Sequence, residues 1–160
     1  MTTIDRTTSR DILAREAEKN NPEAFLHIAL HYASGTNGFA EDEAMKIEFY
    51  QRGAAFADQG LPAALYCQAV CRFMGYGVDK DEKEAVKQFR EIAEQGYALA
   101  QNVISRFYSK GEGIDQNDQE AFKWRHKAAE LTFDQRSESD RRMVFEIRAD
   151  DLHTDRQAEI

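Results

Sequence analysis

The sequence predicts an all-α protein that folds as a short solenoid of about three helix–turn–helix repeats with helical caps. Two observations predict this fold class. The first is an internal repeat, because "GYGVDKDEKEA" at residues 75–85 returns 36 residues later as "GEGIDQNDQEA" at residues 111–121. The second is the spacing of apolar residues within each repeat. They recur at intervals of three and four, which is typical of one face of an α-helix.

Three columns of small residues define the length of the repeat. The columns are Ala17, Ala57, Ala93 and Ala129; Ala24, Ala64 and Ala100; and Gly35, Gly75 and Gly111. In each column the first interval is 40 residues and the later intervals are 36. A fixed period of this size indicates stacked supersecondary units. The longer first interval predicts an insertion of about one helical turn in the first repeat.

The period divides the chain into successive segments. We expect a flexible leader at 1–8, a capping helix at 9–20, repeats at 21–60, 61–96 and 97–132, and a charged C-terminal capping helix and tail at 133–160. The last segment does not align with the repeat. Ser137 and Asp140 could begin its helix, with an apolar face formed by Met143, Val144 and Ile147.

Each repeat is predicted to contain two helices joined by a glycine-containing loop. Gly75 and Gly111 stand where a first helix needs a left-handed residue at its end. Asp81 and Glu84, like residues 117–120, form the pattern of a capping box that opens the second helix. A phosphate loop would need a preceding strand, and a calcium loop would need oxygen ligands at alternating positions. These acidic residues are therefore predicted to serve helix ends.

The stretch "ALAQNVISRFYSKGEGIDQNDQEAFKWRHKAAE", with Tyr108 three residues before its glycine and Trp124 in its second helix, resembles the Sel-one-like repeat family. This family is related to tetratricopeptide repeats, and the resemblance covers residues 10–132. It implies a right-handed α/α superhelix and a non-enzymatic adaptor or regulatory scaffold, most often bacterial. The sequence departs from the pattern where Arg72 replaces the tyrosine found at Tyr32 and Tyr108.

The resemblance also implies where a partner would bind. In such repeats the first helices line a concave surface that takes extended or helical segments. The candidate partner-binding residues are Leu26, Leu30, Tyr66, Val70, Phe73, Met74, Asn102, Arg106 and Lys110. The apolar members could hold hydrophobic anchors of a peptide, and Arg106 and Lys110 could hold a carboxylate. The alternative is that Val70 and Phe73 belong to the core.

A zinc site is a second, weaker hypothesis for the first helices. Its candidate ligands are two pairs spaced by four residues in the same repeat columns: His27 and His31, then Cys67 and Cys71. Two such pairs could close a tetrahedral site if their helix faces met. Repeat three has Val103 and Phe107 in these columns, which favours apolar packing positions instead. We therefore predict no metal and no cofactor.

Composition narrows the class of function further. The net charge is −8 with dispersed Lys and Arg, which disfavours nucleic-acid binding and is compatible with a basic partner. The sequence has no 18-residue apolar run and an N-terminus without an apolar stretch, so neither a membrane span nor a signal peptide is expected. Two cysteines four residues apart on one predicted helix are poorly placed for a disulfide, which favours a cytoplasmic location.

No arrangement of residues predicts catalysis. "HIALH" lacks the glutamate of a zinc-protease motif, and no histidine outside the first helices is placed near Cys67 or Cys71. We therefore expect a protein or peptide partner and no enzymatic activity. The alternative is an acidic immunity or inhibitor protein that neutralises a toxin, which the small size and negative charge would suit.

Overall fold

The computed structural model describes residues 4–133, and within them the chain forms seven α-helices and no strand. The helices are α1 (Arg10–Glu18), α2 (Pro22–Ser34), α3 (Glu43–Ala54), α4 (Pro62–Met74), α5 (Glu82–Glu94), α6 (Ala98–Lys110) and α7 (Asp118–Phe133). A short 3₁₀ helix, Ala57–Gln59, precedes α4. The predicted all-α class is confirmed. The predicted C-terminal helix that begins near Ser137 lies outside the described residues, and the division into repeats stays a prediction.

The helix ends follow the predicted local chemistry. The side chain of Asp81 accepts a hydrogen bond from the Glu84 amide at 3.0 Å, and Asn117 accepts one from the Glu120 amide at 3.1 Å. These bonds satisfy amide groups that the first turn of a helix leaves without a partner. After α6, Gly111 adopts a left-handed φ of 69°, which a residue with a Cβ rarely adopts. The predicted helix-end chemistry is confirmed at Asp81, Asn117 and Gly111.

The chain divides into two compact units, the first of which ends at Gln68 and the second of which begins at Ala69. The core of the first unit is aromatic. Phe25 of α2 packs against Phe49 and Phe56, with ring centroids 6.2 and 5.9 Å away. The Arg52 guanidinium lies 4.7 Å from the Phe25 centroid and 4.9 Å from that of Phe49. Burial of these rings, together with the cation–π contacts, holds α3 on α2.

A glycine near the end of α3 allows close approach to α4 in the first unit. Gly53 is buried, and a Cβ built on it would lie 2.5 Å from Sγ of Cys67. Glycine weakens a helix, so its presence here needs a packing reason. The missing side chain leaves room for the Cys67 thiol.

The second unit is organised around Phe107 of α6. Its ring stacks on that of Phe73 at 4.9 Å and contacts that of Phe89 at 5.6 Å. Two side-chain bonds fasten α6 to its neighbours. Gln101 Nε2 donates to the Ala93 carbonyl at 3.1 Å, and Ser105 Oγ donates to the Ala121 carbonyl at 2.9 Å. A buried donor that loses its hydrogen bond costs free energy, so these two contacts favour the observed packing of α6.

The N-terminal residues that the structure describes form a hydrogen-bonded turn before α1. Asp5 Oδ1 accepts bonds from the Thr7 amide at 2.8 Å and from the Thr7 hydroxyl at 2.7 Å. Ile4 and Thr8 are buried. The side-chain amide of Asn37 donates to the Thr8 carbonyl at 3.0 Å, so this turn is attached to the loop between α2 and α3.

Candidate functional site

The predicted partner-binding residues of the first unit are inside the protein. Leu26 and Leu30 of α2 have no more than 1% of their surface exposed, and Tyr66 of α4 is also buried. Residues so placed stabilise the fold by removing apolar surface from water. Their predicted contact with a partner is not tested by this placement and stays a prediction.

In the second unit, the apolar candidates on α4 differ in exposure. Val70 and Phe73 are 5% exposed, and Phe73 stacks on Phe107, so both contribute to packing within the unit. Met74, the last residue of α4, is partly exposed. A flexible thioether at a partly exposed helix end is suited to contact an apolar group of a partner.

The polar candidates follow one face of α6 at intervals of four residues. Asn102 is partly exposed, and its side-chain nitrogen donates to the Ala98 carbonyl at 3.2 Å. Arg106 is 3% exposed. Lys110, at the C-terminal end of the helix, is exposed. The positive charge that a ligand can reach on this face is therefore that of Lys110.

The zinc candidates of the first unit are engaged in other contacts. Nε2 of His27 lies 3.4 Å from the Glu23 carboxylate, and Sγ of Cys67 occupies the space left by Gly53. Between residues 4 and 133, no three or more His, Cys, Asp or Glu side chains are grouped as a metal site. In the second unit, burial raises the pKa of the Cys71 thiol to about 11, which disfavours the thiolate that zinc requires.

His31 is part of a hydrogen-bonded chain in the loop of the first repeat. Asn37 Nδ2, which can only donate, lies 3.4 Å from His31 Nε2, so His31 Nδ1–H donates to Thr36 Oγ1 at 2.8 Å. The Thr36 hydroxyl then donates to Ser34 Oγ at 3.0 Å, and Ser34 Oγ donates to the Leu30 carbonyl at 3.0 Å. The His31 ring is therefore held neutral in one tautomer.

Burial of the His31 ring lowers its pKa to about 4, and its electrostatic interactions with His27 and Arg6 act in the same direction. The ring also stacks on Phe39 at 5.6 Å, with the two planes 4° apart. The Arg10 guanidinium lies 4.7 Å from the Phe39 centroid. This histidine therefore organises the loop between α2 and α3 and is not arranged as a metal ligand.

One surface was not identified from the sequence. Phe122 of α7 is 65% exposed, and Arg125, one helical turn later, is exposed beside it. The signal was present in the repeat alignment, because Arg125 stands 36 residues after Phe89 and replaces an aromatic residue by a charged one. Sequence reasoning placed the candidate contacts on the first helix of each repeat and named none on α7.

Comparison with known proteins identifies the repeats. The family model for the Sel1 repeat matches residues 63–97 and 98–133. A crystal structure of a Sel1 repeat protein from Oxalobacter formigenes is similar, with 26% identity, coverage of 81% of this chain and 96% of that chain, and a TM-score of 0.50. The all-helical repeat fold is therefore that of Sel1-type solenoid proteins. No helix among residues 4–133 is both long and apolar enough to cross a membrane.

Two further relatives are much longer than the matched segment. Chitin synthase regulator SKT5 of Saccharomyces cerevisiae is 28% identical over 134 residues, which is 81% of this chain and 17% of that protein. The structure of c5321, a protective antigen of uropathogenic Escherichia coli strains with an SLR fold, shares 34% identity over 82% of this chain and 27% of that chain, with a TM-score of 0.49. The chain thus spans a small part of the length of each.

Proposed function

We propose, from the premise that residues 63–133 of this chain are Sel1 repeats, that the protein is a non-enzymatic scaffold that binds a segment of a partner protein. Sel1 repeat proteins generally act as protein-interaction scaffolds. The match of two consecutive helix pairs to this family is the observation that carries the proposal. Stacked repeats of this kind offer an extended surface that a peptide or helix can follow.

The proposed contact is made by the first helices of the repeats. Within the second unit, Met74 ends α4 with a partly exposed apolar side chain, and Lys110 ends α6 with an exposed ammonium group. A segment with an apolar anchor and a carboxylate would match these two groups. Arg106 and Phe73, which were also predicted to contact the partner, are buried.

The proposed role is regulatory. The yeast relative is a chitin synthase regulator, although the chain spans 17% of that protein, so the likeness supports a regulatory adaptor and names no target enzyme. We also propose a cytoplasmic location. The two cysteines are buried and in the thiol form, which is typical of a reducing compartment.

The test uses variants of exposed residues so that binding and folding are separated. Lys110→Glu combined with Met74→Ala changes the proposed contact, whereas Lys87→Glu, at an exposed position on α5, is the matched charge control. A Phe73→Ala variant is less informative because it removes the stacking partner of Phe107. Each protein is used to capture partners from native lysate, and the captured protein is then titrated by calorimetry.

We expect a micromolar partner that binds wild type and Lys87→Glu equally and is lost with the double variant. All three proteins should give the same circular dichroism spectrum. Equal binding by all three would contradict the first-helix site. A subnanomolar complex with a much larger buried surface would instead indicate an inhibitor of the immunity type.

A further inference from the structure

The loop between α2 and α3 contains the one Asn–Gly pair of the sequence, Asn37–Gly38. Both residues have left-handed backbones, with φ angles of 55° and 76°. The Phe39 amide donates to the Thr36 carbonyl at 3.0 Å, so the pair occupies the two central positions of a tight turn. Both residues are exposed, and water therefore reaches the pair.

An asparagine that precedes a glycine can react with its own backbone, because glycine has no Cβ to hinder the approach. The Gly38 nitrogen gives up its proton and attacks Cγ of Asn37, which forms a new C–N bond and closes a succinimide ring. The bond from Cγ to the side-chain nitrogen breaks, and that nitrogen takes up a proton and leaves as ammonia. Water then opens the ring at either carbonyl and leaves an aspartate or an isoaspartate. Water enters and ammonia leaves, so the step needs no oxidant or reductant.

The nucleophile of this reaction is available in the folded protein. Among residues 4–133, the Gly38 amide donates no hydrogen bond. A Cβ built on Gly38 would meet only Arg10, at 3.9 Å, so no atom is packed tightly against this residue. Arg10 Nη1 also donates to the Gly38 carbonyl at 2.8 Å. Its positive charge lies beside the amide that must lose a proton, which favours the reactive anion.

The electrophile, by contrast, is held by the N-terminal turn, residues 4–8. Asn37 Nδ2 donates to the Thr8 carbonyl at 3.0 Å and lies 3.4 Å from His31 Nε2. The same nitrogen is the leaving group of the reaction, so the step breaks both contacts. The Asp5 carboxylate keeps the turn closed, because its Oδ1 accepts bonds from the Thr7 amide at 2.8 Å and from the Thr8 hydroxyl at 3.2 Å.

We propose that Asn37–Gly38 is a deamidation site that the N-terminal turn protects, and that its modification releases this turn irreversibly. While the turn is closed, Thr8 holds the leaving group in place. When the turn opens, the Asn37 side chain is free to react. Afterwards a carboxylate oxygen at position 37 faces the Thr8 carbonyl, and two acceptors without a hydrogen between them repel each other. The residues concerned belong to the first unit, so the proposal does not depend on the function proposed above.

The modification also changes the surroundings of His31. Asn37 offers a donor to the unprotonated Nε2, whereas a carboxylate at position 37 offers none. A negative charge beside the ring favours its protonated form, and so raises the pKa of His31. Burial and the interactions with His27 and Arg6 act in the opposite direction, and Arg10 lies over the Phe39 ring that stacks on His31.

Mass spectrometry of the full chain tests the proposal. Wild type, Asp5→Ala and Asp11→Ala are incubated in mildly alkaline buffer, and urea-unfolded wild type gives the rate of the fully open chain. Asp11 is exposed on α1 and makes no hydrogen bond or ion pair within residues 4–133, so Asp11→Ala removes the same charge and leaves the turn intact. The peptide with Asn37 is followed by its gain in mass and by enzymatic methylation of isoaspartate. Internal references are the peptides with Asn20, Asn21, Asn102 and Asn117.

We expect modification at Asn37 and not at the reference asparagines, slow in wild type and Asp11→Ala and fastest in the unfolded chain. Asp5→Ala should react about tenfold faster than wild type, because the loss of bonds to a carboxylate raises the population of the open turn. Thr8→Val should act in the same direction, since it removes both bonds between the Thr8 hydroxyl and Asp5 and keeps the shape of the side chain.

Asn37→Asp isolates the consequence of the modification from its rate. Trypsin should cut the Arg6–Thr7 bond faster in this variant than in wild type, because the turn that contains the bond no longer closes. The His31 ring, titrated by nuclear magnetic resonance, should gain its proton about 1–3 pH units higher than in wild type. The far-ultraviolet circular dichroism of all the variants should match that of wild type, since the helices are not altered.

Three results would overturn the proposal. The first is an unmodified Asn37 in folded wild type, Asp5→Ala and Thr8→Val under conditions in which the unfolded chain reacts. The second is one rate shared by wild type and both turn variants, which would show that the turn does not control the site. The third is equal cleavage at Arg6–Thr7 in wild type and Asn37→Asp, which would show that the new charge does not release the turn.

Discussion

The contact between Gly53 and Cys67 allows a mutational test of the packing between α3 and α4. The perturbation is Gly53→Ala, made alone and together with Cys67→Ala. A Cβ at residue 53 would lie 2.5 Å from Sγ and 3.0 Å from Cβ of Cys67. The nearest other atom, Cβ of Phe25, is 3.6 Å away, which is ordinary contact. The clash therefore comes from one side chain.

The size of the effect combines two opposing contributions. Alanine in place of a helical glycine stabilises by about 0.5–1 kcal/mol. An extra methyl group in a packed interior costs about 1–3 kcal/mol. The single variant should therefore lose up to about 2.5 kcal/mol of unfolding free energy. Cys67→Ala removes Sγ but leaves Cβ of residue 67 at 3.0 Å, so in that background the same substitution at residue 53 should be close to neutral.

The assay is a double-mutant cycle in chemical denaturation, with urea midpoints and slopes measured for wild type, both single variants and the double variant. The expected coupling is about 1–2 kcal/mol, and the substitution at residue 53 should be less costly in the Cys67→Ala background than in wild type. Effects that add to within about 0.5 kcal/mol would refute the reasoning. In that case Gly53 would have a role other than making room for the Cys67 thiol.

Two further predictions concern other positions. Because burial lowers the pKa of His31 to about 4, the unfolded state binds the proton more readily, and the free energy of unfolding should fall by up to about 3 kcal/mol from pH 6.5 to pH 4. Thermal melts of His31→Gln should show a smaller loss over that range, and an identical profile for both proteins would contradict the assignment. Gly113→Ala should cost at least about 1 kcal/mol more than Gly96→Ala, measured in urea, because both have positive φ but an added Cβ is crowded by Val86 at Gly113 and meets nothing within 4 Å at Gly96. Equal costs would show that backbone strain alone sets both values.

Local sequence signals predicted most of the fold. The helix cap at Asp81 and the left-handed backbone conformation at Gly111 depend only on a few neighbouring residues. Both can therefore be predicted from the local sequence. The apolar face of each helix can be predicted in the same way, because it depends only on the spacing of residues within that helix. The repeat period then brought these local features into one architecture, which the Sel1 match supports. The insertion in the first repeat was visible from the period, although the histidine network between α2 and α3 was not.

The candidate site was harder to predict because exposure is not a local property. Phe73 and Met74 are adjacent and both apolar, but Phe73 stacks on Phe107 while Met74 remains partly exposed. Arg106 and Lys110 are both cationic, one helical turn apart, but only Lys110 is exposed. Sequence columns identify the helix face of each residue. They do not reveal how far a neighbouring element extends over it.

By itself, then, the sequence determined the helices, their ends and the repeat, since all three follow from residue type and spacing along the chain. Only the tertiary structure decided which repeated positions became core and which became surface. Val86 and Phe122 occupy the same column and are both apolar, but Val86 is buried beneath the next repeat and Phe122 faces outward. The physical reason is that a side chain is buried only when a second element packs over it. Among residues 4–133, no equivalent helix packs over this face of α7.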